Sequence, residues 1–504
     1  MAKFKAYDYR QRVFLPVSLE DQLMPGTLEF AIHTLVETRL DTSGFAQRYR
    51  NDETGRTAYN PKILLKIVLL GYARGLISSR KIEQACRENV VFIALACGQQ
   101  PDHSTIAAFV SSMKEEILPL FRNVLLVCQE LGLLGGTFFA LDGVKLPSNA
   151  STKWSGTYPE LQRKKARLEA KIEQLLEEHV QEDQGNTDPL GTKGSDQASR
   201  EKQVQRLQKQ AERLERWLQE NQAKYGFRKK EISSNVTDND SAKMRTSHGV
   251  VQGYNSQALT DGKHQVIIHA EAFGRGQDHA HGPPMLDGAL ENLKRLGHSE
   301  EYFAGKIFTA DTNYHSETNI RKCLDLRLDA YIPDLYFRRR DPRYVTQQRY
   351  WPQRKTFTLE DFSYDEAPDQ YVCPNGKRLK RKVRYIVRDG LVQRGYIANE
   401  QDCQSCPLRP RCLTARGGKR RYLWVTIGAE ITNLSKRMAA KIDTEAGRKI
   451  YPQRFAVVEP VFANIRTQKR LDRFTLRGKV KVNIQWLLYC MIHNIEKFKN
   501  YSLA

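Results

Sequence analysis

An apolar run that ends in an acid occurs twice in this chain, and it constrains the fold more than any other feature. Thr-Phe-Phe-Ala-Leu at 137–141 leads into Asp142 and continues through Gly-Val-Lys-Leu; Ile307-Phe308-Thr309-Ala310 leads into Asp311. Runs rich in β-branched and aromatic residues read as buried strands. A carboxylate at the end of such a strand is costly unless it is paired or binds a metal. Residues 250–260 and 264–272 read as two further strands joined by a turn at Asp261-Gly262, and a helix follows at about 283–296. After the strand at 306–310 come a helix capped by Ser316 and a strand Ala330-Tyr331-Ile332.

The resulting order, β-β-β-α-β-α-β with a late helix, predicts an α/β fold: a ribonuclease-H-like core, a mixed sheet with helices on both faces. Two insertions interrupt it. In 158–230, Leu161, Leu168 and Leu175 recur at every seventh position, as do Val204, Ala211 and Leu218, and Leu207 with Leu214. With a flexible break at 184–196, this predicts an antiparallel helical hairpin with a coiled-coil seam. Such a hairpin is either a solvated arm or a surface for dimerisation or DNA. The second insertion, 335–430, interleaves cations with aromatics at Arg338, Arg339, Arg340, Arg343, Arg349, Tyr350, Trp351, Arg354 and Lys355. That mixture suits phosphate contact with base stacking.

Upstream, residues 1–130 read as helical. Pro61 opens one helix, a second spans Ser79–Asn89, and Asp102 caps a third over 106–118. Short helices at tight turns are compatible with a helix-turn-helix DNA-binding unit. The expected division is a helical domain at 1–130, the first part of the core at 131–334, the basic insertion at 335–430 and the closing part of the core at 431–504. A chain of 504 residues is too long for one core in any case.

Lys and Arg number 80 against 58 Asp and Glu, a net charge of +22. The partner this implies is a polyanion, and nucleic acid is the commonest one. No apolar run approaches the ~20 residues that span a bilayer, and the basic start Met1–Tyr7 has no apolar signal segment. A cytoplasmic protein is expected, at the bacterial nucleoid if DNA is the partner. Asp142 and Asp311, on adjacent strand ends, would repel each other, and a divalent cation resolves that conflict. Oxygen-only ligation favours Mg²⁺ or Mn²⁺. A third acid on the late helix would complete a site for two ions, the arrangement that activates the attacking oxygen and stabilises the leaving oxygen of a phosphodiester.

That third acid has a specific context. Tyr451-Pro-Gln-Arg454-Phe-Ala-Val-Val-Glu459-Pro-Val-Phe-Ala-Asn-Ile-Arg466 resembles the Tyr-Arg-Glu-Lys signature of DDE transposases from bacterial insertion sequences. Leu141-Asp142-Gly143-Val144-Lys145, Gly253-Tyr254-Asn255-Ser256-Gln257 and Ala310-Asp311-Thr312-Asn313-Tyr314 match its surroundings. The resemblance implies a DNA transposase with Asp142, Asp311 and Glu459 as catalytic ligands of two metal ions, acting on double-stranded DNA as a homodimer on paired ends. It also implies that Tyr451, Arg454, Arg466 and Lys145 face DNA, together with Arg338, Arg339, Arg340 and Trp351 of the basic insertion. Four residues separate Arg454 from Glu459 where the signature has three, and Arg466 stands for its Lys. Glu459 and Arg466, two helical turns apart, share a face, while Pro460 predicts that the helix begins or kinks at Glu459. A catalytically inactive DNA-binding regulator and a nuclease of the same fold are the alternatives.

Of nine cysteines, Cys86, Cys97, Cys128, Cys323 and Cys490 stand alone and read as buried thiols. Cys373, the pair Cys403-Gln-Ser-Cys406, and Cys412 fall together around a hairpin turning at Asp389-Gly390. Four thiolates at short spacing can close a tetrahedral zinc site that staples a small insertion; metal-free cysteines or a redox pair are the other readings.

Overall fold

Caps set the N-terminal helices. In the computed structural model of the chain, which describes residues 18–46, 57–185, 194–226, 230–247, 249–347, 356–388, 391–413, 418–426 and 434–501, Asn60 accepts the Lys62 N–H, and Pro61 fills the first turn of Pro61–Ala73. Ser78 caps Ser79–Glu88, and Asp102 caps His103–Ser112 by accepting from the N–H groups of Ser104 and Thr105. The single helix expected over 106–118 is two. The chain bends at Met113, whose side chain is fully buried, and a new helix runs Ile117–Glu130.

The chain divides into two units. The first holds Met1–Thr309, Leu326–Asp329 and Gln453–Ala504; the second holds Ala310–Asp325 and Ala330–Pro452. The boundary expected after residue 130 falls inside the first unit.

Six strands make the main sheet: β1 Phe138–Pro147, β2 Ala242–Thr246, β3 Gly249–Asp261, β4 Ile267–Phe273, β5 Ile307–Ala310 and β6 Asp329–Tyr331. Their order is β6-β5-β1-β3-β2, with β4 also paired to β3. β1 and β3 run antiparallel, with Asp142 opposite Ala258 and Gly143 opposite Gln257. Opposed residues share a face and neighbours alternate. Asp142 and Val144 therefore lie on one side of β1, and Gly143 and Lys145 on the other.

The central part of the C-terminal helix Lys479–Tyr501 is buried, with Trp486, Leu488, Tyr489, Met491, Ile492 and Ile495 fully covered. It also closes the open edge of β4. Asn494 accepts the Ile267 N–H at 2.8 Å and donates to the Ile267 carbonyl at 2.8 Å; Asn483 does the same for Ala272 at 2.7 and 3.1 Å. Two amides thus satisfy backbone groups that would otherwise be buried unpaired.

The hairpin insertion is present as helices Tyr158–Gly185 and Gly194–Glu220. Its seam is tightest at the base, where Leu161, Leu214 and Trp217 are buried with Leu168 and Leu218 against them. Cys86, Cys128, Cys323 and Cys490 are buried free thiols, and burial pushes Cys86 up to about 11 and Cys128 and Cys323 up to about 12. Cys97, expected to be buried, is exposed: it sits in the left-handed turn (φ 51°) that follows the helix Val90–Leu95.

In the second unit, strands β7 Ser363–Asp365, β8 Gln370–Val372, β9 Arg378–Arg388, β10 Leu391–Ala398 and β11 Tyr422–Thr426 form a second sheet in that order. β9 and β10 pair antiparallel, as the expected hairpin requires; its turn at 389–390 lies outside the described residues.

The edge closure predicts a local sensitivity. Asn494→Ala leaves both Ile267 backbone groups buried without partners, each costing about 1–3 kcal/mol. Thermal unfolding of the variant should show a loss of about 2–6 kcal/mol, and Asn494→Asp should lose stability too because it cannot donate to the Ile267 carbonyl. A melting temperature equal to the parent's would mean that water replaces the amide at this edge.

Candidate active site

Asp142 lies within β1 rather than at its end, since the strand continues to Pro147. Its Oδ1 accepts the Gly143 N–H at 2.8 Å, and its Oδ2 accepts from Arg454 Nη1 at 2.8 Å. The Arg454 side chain is 7% exposed and that of Asp142 22%. A charge-assisted bond between groups so shielded from water is stronger than an exposed pair. Arg454, expected at DNA, is instead the buried counter-ion of an acid.

Arg454 and Glu459 share the helix Gln453–Ala463. Pro460 lies inside that helix, which neither begins at Glu459 nor stops there. A proline in a helix orphans the carbonyl four residues earlier, here that of Ala456. Gln265 Nε2 donates to this carbonyl at 2.9 Å. Gln265 is itself held in a left-handed conformation (φ 61°) at the β3–β4 turn. Its carbonyl is bonded to His493 Nε2 at 2.9 Å, and its Oε1 accepts from Lys497 at 2.8 Å. The helix passes into a π-helical turn, Asn464–Gln468, which carries Arg466.

Asp142, Val144, Glu459, Phe462, Arg466 and Arg470 line one cavity of about 550 Å³. Spacings of three, four and seven put Glu459, Phe462, Ala463 and Arg466 on one helix face. The face predicted for Glu459 and Arg466 is therefore the one that meets Asp142. Arg470 was not anticipated, although its position four residues beyond Arg466 was a usable signal. Two exposed guanidiniums beside two carboxylates make a site that can take a phosphate oxygen and a cation together.

Lys145 does not line the cavity. It lies on the opposite face of β1, with Nζ 3.4 Å from the Arg245 carbonyl. On that face the residues around Gly253–Gln257 do structural work. Asn255 Nδ2 and Gln257 Nε2 donate to Asp278 Oδ1 at 2.5 and 2.9 Å. Burial pushes the Asp278 carboxyl up, but the His281 ring 3.7 Å away and the hydrogen bond from Asn255 outweigh it and hold it below the usual carboxylate value. A Cβ on Gly143 would stand 2.0 Å from Gln257 Nε2, so only glycine lets this network lie flat beneath the strand that carries Asp142. Tyr254 donates to Asp238 Oδ1 at 2.7 Å. Neither Asp278 nor Asp238 had a sequence context that marked it.

In the second unit, Asp311 follows β5 as expected and caps the turn Thr312–Tyr314; its two oxygens accept from the Asn313 N–H at 2.9 Å and Nδ2 at 3.0 Å. Tyr451 is buried, edge-on to Phe337 with centroids 5.4 Å apart, so its ring does not face outward to DNA. Arg340 is clamped between Asp334 and Asp443, both at 2.5 Å. Arg338 lies over Phe337 and Tyr344, and Arg339 over Tyr336. Trp351 and its neighbours Arg349, Tyr350, Arg354 and Lys355 lie outside the described residues. Among the described residues no group of three or more His, Cys, Asp or Glu side chains stands ready to hold a metal ion, and no helix is long and apolar enough to cross a membrane.

The Asp142–Arg454 pair is testable without any assay of activity. Arg454→Met keeps the volume and removes the charge. Breaking so shielded a pair costs about 3 kcal/mol, a fall in melting temperature on the order of 5 °C. Excess Mn²⁺ supplies positive charge to the stranded carboxylate and should restore part of that loss. Equal losses with and without Mn²⁺ would show that the arginine is not balancing a cation-binding acid.

Comparison with known families gives two matches. A model described as transposase domain (DUF772) covers residues 17–112, and a model described as transposase DDE domain covers residues 372–499, including Glu459 and Arg466. Asp142 and Asp311 lie outside both segments. No curated protein matches the chain. The two transposase-domain matches, the second spanning the helix whose glutamate shares a cavity with Asp142, support a DDE transposase of an insertion sequence.

Proposed function

We propose that this transposase cuts DNA at the ends of its insertion sequence and joins the freed 3′-hydroxyl to target DNA, with Asp142, Asp311 and Glu459 as its catalytic carboxylates on a ribonuclease-H-like core. One observation carries the reading: Asp142 and Glu459, remote in sequence, line the same cavity as Arg466. The role of Asp311 rests on its sequence context. The donor set is all oxygen, which suits a hard divalent cation. Asp142, Asp311 and Glu459 would hold two Mg²⁺ or Mn²⁺ ions, which when bound supply Lewis-acid stabilisation at the phosphodiester.

The chain's own groups do the rest. Arg454 holds the Asp142 carboxylate in place through their 2.8 Å ion pair. Arg466 and Arg470, on the open side of the cavity, bind and orient the phosphate for in-line attack. The N-terminal helices and the basic surface of the second unit hold double-stranded DNA through phosphate contacts, and the working form is a homodimer on paired ends, in the cytoplasm at the nucleoid. Incubation of end-containing DNA with protein and Mg²⁺ tests the proposal. Joined products support it, cleavage without joining indicates a nuclease, and binding without cleavage indicates a regulator.

Asp142→Asn, Asp311→Asn and Glu459→Gln should each abolish cleavage while end binding, measured by gel shift, stays near the parental level. Losing a metal ligand removes transition-state stabilisation and leaves the phosphate contacts. Near-normal cleavage by any one of them takes that residue out of the site.

Arg466 separates orientation from charge. Arg466→Ala should slow cleavage by at least about tenfold, equivalent to roughly 1.4 kcal/mol of transition-state stabilisation. Arg466→Lys should recover part of this, since it keeps the charge and loses the planar fork. An Ala variant that is folded and cleaves at the parental rate would place Arg466 outside the reaction.

A further inference from the structure

Among the described residues, Phe362, Leu379, Tyr396, Ala398 and Leu423 are the buried cluster of the second sheet, with Cys373, Cys403 and Cys412 packed against it. All four clustered cysteines, Cys373, Cys403, Cys406 and Cys412, line one enclosed cavity of about 30 Å³. A space of that size takes one small occupant.

The backbone around the sulfurs is already arranged for anions. At Cys373 the chain makes a tight turn, with the Gly376 N–H (φ 71°) on the Cys373 carbonyl at 2.8 Å and the Cys373 N–H on the Lys377 carbonyl at 2.8 Å. The same turn aims the Lys377 N–H at Cys373 Sγ, 3.4 Å away. The other three cysteines come from the short helices Glu400–Gln404 and Arg409–Cys412 and the turn between them. Two arginines strap this segment without using a sulfur: Arg409 donates to the Cys403 carbonyl at 2.9 Å, and Arg421 donates to the Cys412 carbonyl at 2.7 Å and the Phe357 carbonyl at 3.1 Å.

We propose that Cys373, Cys403, Cys406 and Cys412 bind one zinc ion, a structural site that ties the turn after β8 to the helical segment before β11. The four thiols lose their protons to solvent as four Zn–S bonds form, so no oxidant or reductant is needed. The thiols are free and do not stand as a finished cage; ligation draws them onto the centre of the cavity they already share. Soft sulfur ligation sets this site apart from the oxygen site at Asp142 in metal preference.

The test is made on the full-length reduced protein. Elemental analysis should find about one zinc per chain that survives dialysis against a chelator able to strip Mg²⁺ and is released by a mercurial thiol reagent. Co²⁺ in place of zinc should give the thiolate-to-metal charge-transfer bands of a tetrahedral sulfur site. Cys373→Ser and Cys406→Ser should each lower the zinc content severalfold, while Cys97→Ser keeps it at one. Should the serine variants be insoluble, the Co²⁺ spectrum of the parent decides alone. A reduced parent that holds no zinc and shows no charge-transfer band with Co²⁺ overturns the proposal, as does zinc that survives replacement of all four cysteines.

Discussion

Gln265 is the junction on which the first unit's site depends. Its left-handed backbone closes the β3–β4 turn, its carbonyl and Oε1 are held by His493 and Lys497 of the C-terminal helix, and its Nε2 takes the carbonyl that Pro460 leaves without a partner. One side chain therefore joins the buried C-terminal helix to the sheet and to the helix that carries Glu459. A proline inside a helix leaves the carbonyl four residues earlier without its helical donor. Pro460 creates that need one residue after the glutamate, and the Gln265 side chain meets it at the exposed Ala456.

From that helix Arg454 reaches back to Asp142, so the two elements that build the cavity are joined electrostatically as well as by packing. Val457 and Val458 pack on Ala140 of β1, one turn away from the ion pair. The apolar contact sets the distance between helix and strand, and the charged contact sets which rotamer the acid adopts. On the far face of β1, Gly143 leaves room for Gln257 and the Asp278 network, so the acid's strand is held from both sides. A rigid setting of this kind is what positioned carboxylates need if they are to receive cations without reorganising.

The second unit spends many of its cations internally. Arg340 is bound by two aspartates, Arg343 by Asp341, and Arg409 and Arg421 by backbone carbonyls of the cysteine segment. A net charge of +22 thus overstates the number of cations that stand free for a polyanion. The guanidinium's planar fork explains why arginine serves here: it satisfies several acceptors at once where a lysine would satisfy one.

Local signals carried a good part of this protein. The apolar runs leading into Asp142 and Asp311, the caps at Asn60 and Asp102, the turn after Asp261, the heptad seam of the hairpin and the shared face of Glu459 and Arg466 all follow from periodicity and side-chain chemistry within a few residues. Tertiary structure decided what those side chains touch. Nothing near Arg454 or Tyr451 in sequence says that both are buried, because burial depends on elements that fold back from elsewhere: Asp142 lies on a strand far upstream, and Phe337 lies beyond a long insertion. Pro460 looked like a helix boundary because its local effect is to break one; the helix Gln453–Ala463 continues through it, and Gln265, remote in the chain, donates to the carbonyl it orphans. Arg340 read as a free cation because its partners Asp334 and Asp443 come together only in the fold. Periodicity reports which face a residue lies on, and only the folded chain determines what that face meets.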